Sequence, residues 1–347
     1  WAFKDLQAHG KDSAYRDWFY HLRFDAQSPF GDPFAYEGWG GHHSLVKLNL
    51  SHPIVRSHLF DAVKLWMDDF GIDGLRLDAA DSIDFDFLRA LHQFTKSRQP
   101  DFWLMGEVVH GDYRQWVNPD RLDSVTNYQS YKGLYSSLIE ENYFEMAHSL
   151  NRQFGPNGLY RDLTLYNFAD NHDVDRVASK FKTKSAKALL YPLYLLLFTM
   201  PGIPSVYYGS EFGIEGVKEP WADAPLRPAL NIEELKRHAP EPNLVSVIQK
   251  LITIRKQSNA LCTGDYEQVL VKDRQFAFRR KTSDEVVVVI LNSASHEVKM
   301  DLDLEGTEVE WIDLLNEGET FTSKGGKLKL SLSPTWGRIL SNKREQG

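Results

Sequence analysis

Apolar runs that end in acidic clusters alternate with amphipathic stretches of helical period, and this alternation constrains the fold of the chain more than any other property. Three such runs are GLRLDAAD (74–81), LMGEVVH (104–110) and FADNHD (168–173). Nearly continuous apolar strands separated by amphipathic helices indicate a parallel sheet covered on both faces, either a barrel or a doubly wound sheet. In a (β/α)8 barrel the active site collects at the C-terminal ends of the strands. Asp78, Glu107 and Asp173 fall at such ends, where one pocket would gather them.

Residues 53–70 read as a helix, with Ser51 as cap, Pro53 in the first turn and Gly71 as the stop. Val55, Leu59, Ala62, Trp66 and Phe70 repeat on its apolar face. The alternation continues with a helix near 84–97, strand 102–108, a short strand near 123–127, strand 163–170, helix 185–200, strand 202–211 and a helix near 243–257. Five βα steps are visible, so a barrel would lack about three of its eight strands. Residues 1–50 are rich in aromatics, Gly and Pro without a sustained period, and 31–43 read as an ordered loop. His42 and His43 are adjacent and read as loop residues rather than metal ligands, and Asn49 as either a cap or a bridge between loops. Past residue 260 the period becomes two, in EVVVVILN (285–292), TEVEWIDLL (307–315) and KLKLSLS (327–333). That pattern predicts a small antiparallel β-sandwich. The expected division is a loop-rich insertion over 1–50, a (β/α) barrel domain over 51–260 and a C-terminal domain over 261–347.

A formal charge of -8 disfavours nucleic acid and anionic membrane surfaces as partners, which suits a neutral substrate. Cys262 stands alone, so no intrachain disulfide forms; the thiol reads as an inert core residue and leans toward a cytoplasmic setting. ALLYPLYLLLFTM (188–200) is too short to span a bilayer and reads as a buried helix. The chain starts at Trp1 without Met or signal pattern, from which a missing native beginning is expected.

Arg76 and Asp78 lie two apart on a strand and point the same way, and a guanidinium beside a carboxylate holds it ionised and oriented, as a nucleophile requires. A structural Arg–Asp pair closing the strand is an open alternative. Asp81 and Asp84 read as caps of the following helix. Glu107 ends the apolar strand FWLM, where partial desolvation would raise its pKa and let it serve as a general acid; a solvated strand-end glutamate is the alternative. For His172 and Asp173, beside Asp170 and Asn171, a metal site or a hydrogen-bonded turn competes. Together, carboxylates without a cysteine pair or histidine cluster suit glycosidic-bond chemistry, with one carboxylate attacking the sugar and a protonated one releasing the leaving oxygen. No G-x-S-x-G, G-x-G-x-x-G or G-x-x-x-x-G-K-[ST] motif occurs, which sets aside serine-hydrolase, dinucleotide and P-loop chemistry.

The order strand-RLDA, strand-GEV, strand-DNHD and then GIPSVYYGSE (202–211) resembles the α-amylase superfamily, glycoside hydrolase family 13. YEGWGGHHSLVKLNLSHPIVR (36–56) is similar to a segment of its neopullulanase, cyclomaltodextrinase and maltogenic-amylase group, and Glu107, Val108 and His110 echo that group's EVWH with Val109 in place of Trp. The resemblance implies a TIM barrel, with strands four to eight in this chain, and a C-terminal antiparallel β-sandwich. It implies Asp78 as nucleophile, Glu107 as general acid/base, Asp173 as transition-state stabiliser, and Arg76, His172 and His110 as sugar ligands. The implied substrate is an α-1,4-linked glucan such as a maltodextrin, a cyclodextrin or pullulan, with glucanotransfer at the same site and an inactive sugar-binding fragment as alternatives. A second copy in a homodimer of the parent protein is a further partner to consider. No metal ligand is assigned: Lys47 stands where many relatives have an aspartate, so the sequence does not support calcium. The family's D-x-x-x-N-H segment would precede Trp1.

Overall fold

The first 50 residues hold more regular structure than their irregular composition predicts. In the computed structural model, which describes residues 1–304 and 308–343, α1 (Ala2–His9) buries Leu6 against Trp18, Phe19, Phe34, Tyr36 and Val55. Strands β1 (Gly38–Trp39) and β2 (His42–Val46) form a hairpin whose connecting residues, Gly40 and Gly41, take φ of 54° and 83°. Tight hairpin turns require positive φ at both central positions, which a Gly-Gly pair adopts at no steric cost. His42 and His43 therefore lie on a strand and not in a loop, with His42 stacked on Trp39 and His43 against Tyr36. Asn49 does bridge loops, its side chain donating to the Asp17 carbonyl and its backbone to that of Trp18.

Helix α2 (Pro53–Phe70) starts and stops where expected, with Pro53 in its first turn and Gly71 at φ 60° closing it. Its N-cap is His52 with no side-chain bond, so Ser51 is not the cap. The buried side is also rotated from the expected one. Phe60 stacks on Phe94 at 4.9 Å and packs near Phe87, while Trp66 and Phe70 stay 41% and 69% exposed, along with Ile54 and Leu65. Helix α3 (Phe85–Arg98) is capped by Asp84, which accepts from the Phe87 amide; Asp81 lies instead in the 3-10 turn Ala80–Ser82. Between and after these helices, β3 (Gly74–Leu77), β4 (Trp103–Gly106) and β5 (Ser124–Val125) form a parallel sheet in that order. Parallel neighbours need a crossover, and α3 supplies the one between β3 and β4. A Cβ on Gly106 would come within 2.6 Å of Leu122 and 2.7 Å of Ala80. Gly106→Ala is therefore expected to lower stability by about 1–3 kcal/mol, read as a shift of the urea midpoint at unchanged slope. These elements belong to one compact unit, Trp1–Val125.

The second unit, Thr126–Gly347, opens with a parallel bridge between Thr126 and Tyr166. Helices α4 (Tyr128–Ile139) and α5 (Tyr143–Phe154) follow, each started by an Asn side chain that accepts a backbone N–H. Strand β6 (Tyr166–Phe168) pairs in parallel with β7 (Ile203–Ser205), and the stretch expected as one helix between them divides into α6 (Lys184–Lys187) and α7 (Leu190–Thr199). Pro192 sits in the first turn of α7, where the missing N–H costs no helical bond, and the helix is buried almost throughout. Helices α8 (Ile232–His238), α9 (Leu244–Gln257) and α10 (Asn259–Thr263) complete the α/β part. Cys262, expected in the core, is exposed on α10, with its Sγ near the Arg255 carbonyl.

The remaining strands are β8 (Asp265–Val271), β9 (Gln275–Lys281), β10 (Val286–Asn292), β11 (Val298–Asp303), β12 (Val309–Asp313), β13 (Thr320–Ser323), β14 (Lys327–Leu332) and β15 (Trp336–Ser341). They form two antiparallel sheets, ordered β13-β12-β15-β10-β9-β8 and β11-β14. Residue 307, at the head of the expected strand 307–315, lies outside the described residues. Alternate residues point into the layer between the sheets. Val288, Ile290 and Leu340 meet Met300, Leu302, Leu328, Leu330 and Leu332 there, as the period-two pattern predicts.

Candidate active site

Strands β3 and β4 run side by side with Arg76 opposite Met105 and Leu77 opposite Gly106, so the next residues of each emerge at the same end of the sheet. Arg76 occupies that junction. Its Nη1 lies 2.5 Å from Asp78 Oδ1 and its Nη2 3.1 Å from Glu107 Oε2, so one guanidinium holds both carboxylates. Planar donors in a fixed fork suit this two-sided grip, which a lysine could not reproduce. The carboxylates differ in setting: the Asp78 side chain is 79% exposed and that of Glu107 14%. Glu107 Oε2 also accepts from the Ala79 amide at 3.4 Å.

The backbone around the pair is pinned. Glu107 donates its amide to the Leu77 carbonyl, and its carbonyl accepts from Ala80, both at 2.8 Å. Between them Ala79 adopts φ 43°, ψ 45°, a left-handed conformation that costs a residue with a Cβ about 1–2 kcal/mol. This turn leads the chain away from Asp78 and leaves its carboxylate open to solvent. His110 is exposed on the bend after β4 and is not among the groups that touch the Arg76 guanidinium.

Asp173 belongs to the second unit, on the turn after β6. Asn171 Oδ1 accepts from the amides of Asp173 and Val174, the hydrogen-bonded turn that competed with a metal site in the sequence. Asp173 Oδ2 lies 2.9 Å from His172 Nε2 and Oδ1 lies 3.1 Å from Arg227 Nη2. Arg227 Nε also donates to the His172 carbonyl, and Lys218 Nζ to that of Asp173. Neither cation was legible as part of the site, because each contact spans more than forty residues and neither lies in a periodic segment.

Beneath this turn, Asp170 is 2% exposed. Burial pushes its carboxyl up to about 6, against opposing bonds from the Val177 amide and the Ser210 hydroxyl and the attraction of Arg176. Arg176, also buried, donates to the carbonyls of Tyr208 and Leu226 and to Ser210 Oγ. Among the described residues no three His, Cys, Asp or Glu side chains cluster to hold a metal ion. Lys47 Nζ is 2.8 Å from Glu37 Oε1, so this segment presents an ammonium where a cation would need oxygen ligands. Among the described residues no helix is long and apolar enough to cross a membrane.

Known proteins resemble both parts of the chain. Residues 1–234 match the model of the alpha amylase catalytic domain, and residues 266–339 that of the maltogenic amylase C-terminal domain. A cyclomaltodextrinase of Geobacillus thermopakistaniensis is 29% identical over 96% of this chain and 55% of its own length. Neopullulanase 2 of Thermoactinomyces vulgaris is 31% identical over 99% of this chain and 57% of its own. A solved cyclomaltodextrinase structure superposes with a TM-score of 0.82 at 24% identity, over 98% of this chain and 57% of that one. The chain thus spans little more than half the length of these relatives. The likeness identifies the α/β part with the barrel fold of these enzymes and the terminal sheets with their C-terminal domain. The chain belongs to the alpha-amylase family of glycoside hydrolases, within the group of cyclomaltodextrinases, neopullulanases and maltogenic amylases.

Proposed function

We propose that this chain carries the catalytic residues of a retaining hydrolase of α-1,4-glucosidic bonds in maltodextrins, cyclodextrins or pullulan. The observation that carries the reading is the Arg76 guanidinium shared by Asp78 and Glu107 at the ends of adjacent parallel strands. In the proposed reaction the exposed Asp78 carboxylate attacks C1 of the sugar while Glu107 gives a proton to the departing glycosidic oxygen. Glu107 then takes a proton from water, and that water releases the glucose unit from Asp78 with its configuration retained. Arg76, in contact with Asp78 at 2.5 Å, keeps its carboxylate aimed. Asp173 is assigned the stabilisation of positive charge on the sugar ring, and Arg76, His172 and His110 are assigned as hydrogen-bonding ligands of the sugar. A homodimer of the parent protein is a further part of the proposal.

The reading is tested by incubating the chain with β-cyclodextrin, maltotriose and pullulan and following the anomeric protons by NMR from the first turnovers. The expected result is reducing ends that appear first as the α-anomer and only later mutarotate. Initial release of the β-anomer would mean inversion, which assigns Asp78 to activating water instead of attacking the sugar.

A further inference from the structure

The turn that carries His172 and Asp173 is tied at its base by a carboxylate that lies out of reach of solvent. Asp170 Oδ2 accepts from the Val177 amide and from Ser210 Oγ, both at 2.8 Å, closing residues 171–176 into a loop. The second bond joins that loop to the 3-10 turn Ser210–Phe212, and Arg176 reinforces the junction through the same Ser210 hydroxyl. Above this base the Asn171 side chain shapes the turn, and His172 and Asp173 stand at its outer end, each about one-third exposed. We propose that Asp170 is the positioning residue of this site, setting the height and direction at which the turn presents His172 and Asp173. The inference rests on the role assigned to Asp173 above.

The groups facing Asp170 define what it does. Arg176 and Val177 come from its own loop, Ser210 and Glu211 from the 3-10 turn, Tyr194 from α7 and Tyr131 from α4. Arg176 directs its own donors to two carbonyls and to Ser210, so Asp170 acts as an acceptor of two neutral donors rather than as half of an ion pair. Buried acceptors that satisfy a backbone N–H are costly to remove, because the donor is left without a partner. A carboxamide can fill the same place, since its single oxygen accepts two bonds.

The test compares Asp170→Ala, Asp170→Asn and Ser210→Ala by hydrogen exchange of a peptide covering 171–180 and by kcat and KM on maltotriose. In Asp170→Ala, exchange at Val177 should accelerate and kcat should fall about 100-fold at nearly unchanged KM, the cost of misplacing a catalytic group by roughly an ångström. Asp170→Asn should keep both the protection and most of the kcat, and Ser210→Ala should fall between. Protection and kcat that survive in Asp170→Ala overturn the proposal, as does an Asn variant that loses as much as the Ala variant. Should Asp170→Ala not fold, Ser210→Ala decides, with wild-type exchange and kcat counting against. If the unmodified chain turns over no glucan, the hydrolase reading falls, and exchange at Val177 still decides whether Asp170 holds the turn.

Discussion

Asp78→Asn is expected to reduce turnover of maltotriose by on the order of 10⁴-fold or more while leaving the thermal transition almost in place, as befits loss of a nucleophile. The small effect on stability follows from exposure. The Asp78 side chain is 79% exposed, and an ion pair in such a setting contributes about 0–1 kcal/mol. Arg76 also retains Glu107 at 3.1 Å, so the substitution leaves no unpaired cation. Glu107→Gln provides the matching control, because a glutamine cannot supply a proton. Its loss should be large on maltotriose and much smaller on α-glucosyl fluoride, whose fluoride departs without protonation. Equal losses on both substrates would remove Glu107 from the role of acid. An Asp78→Asn chain that keeps its rate would dismiss the covalent mechanism altogether.

Asp170→Asn is expected to gain stability over the unsubstituted chain as the pH rises, by about 2 kcal/mol between pH 4 and pH 7. The folded carboxyl sits at about 6 against a model value of 3.8, so the fold binds the proton more tightly than the unfolded chain does. Asp170 therefore favours folding fully only below pH 4, and this contribution fades as pH climbs through about 6. An asparagine stays neutral throughout and keeps the advantage. Urea midpoints of both proteins at half-unit steps from pH 4.5 to 7.5 isolate this one group, since other titrations cancel in the difference. A difference that shrinks with rising pH would mean that Arg176 holds Asp170 ionised and that burial is the weaker influence. A fold that keeps so costly a carboxylate beneath the proposed catalytic turn fits the general pairing of strained or desolvated groups with function.

What was legible in the sequence follows from range. The parallel strands announced themselves because they are nearly continuous apolar runs, and Arg76 and Asp78 could be paired because the strand period places i and i+2 on one side. The terminal sandwich showed itself by the same period in Val286–Asn292 and Lys327–Leu332. Helix α4 escaped because Tyr, Ser and Gly dilute its apolar stripe; α5 does carry a helical stripe, Tyr143, Met146, Ala147, Leu150 and Phe154, but its start depends on Asn142, a residue equally common in turns. The hairpin at 38–46 was hidden by its length, although Gly40-Gly41 is a recognised turn pair. The buried side of α2 was misplaced because Phe60, outside the expected stripe, meets Phe94 of a later helix. Within FADNHD the four polar residues look alike in sequence. Their division into the buried Asp170 and the half-open Asp173 is decided by Ser210 and Arg227, which lie far along the chain.

The outer side of α2 carries a consequence for handling the protein. Ile54, Leu65, Trp66 and Phe70 present to water a surface with the composition of an interior, and β3, a few residues on, is the terminal strand of its sheet. Apolar surface of this kind attracts more strongly on warming near room temperature and in sulfate or phosphate, and less in the cold. Association of the chain is therefore expected to respond to temperature and salt type as well as to its negative charge. Cold storage in chloride is expected to favour the dispersed state, and ammonium sulfate to favour association.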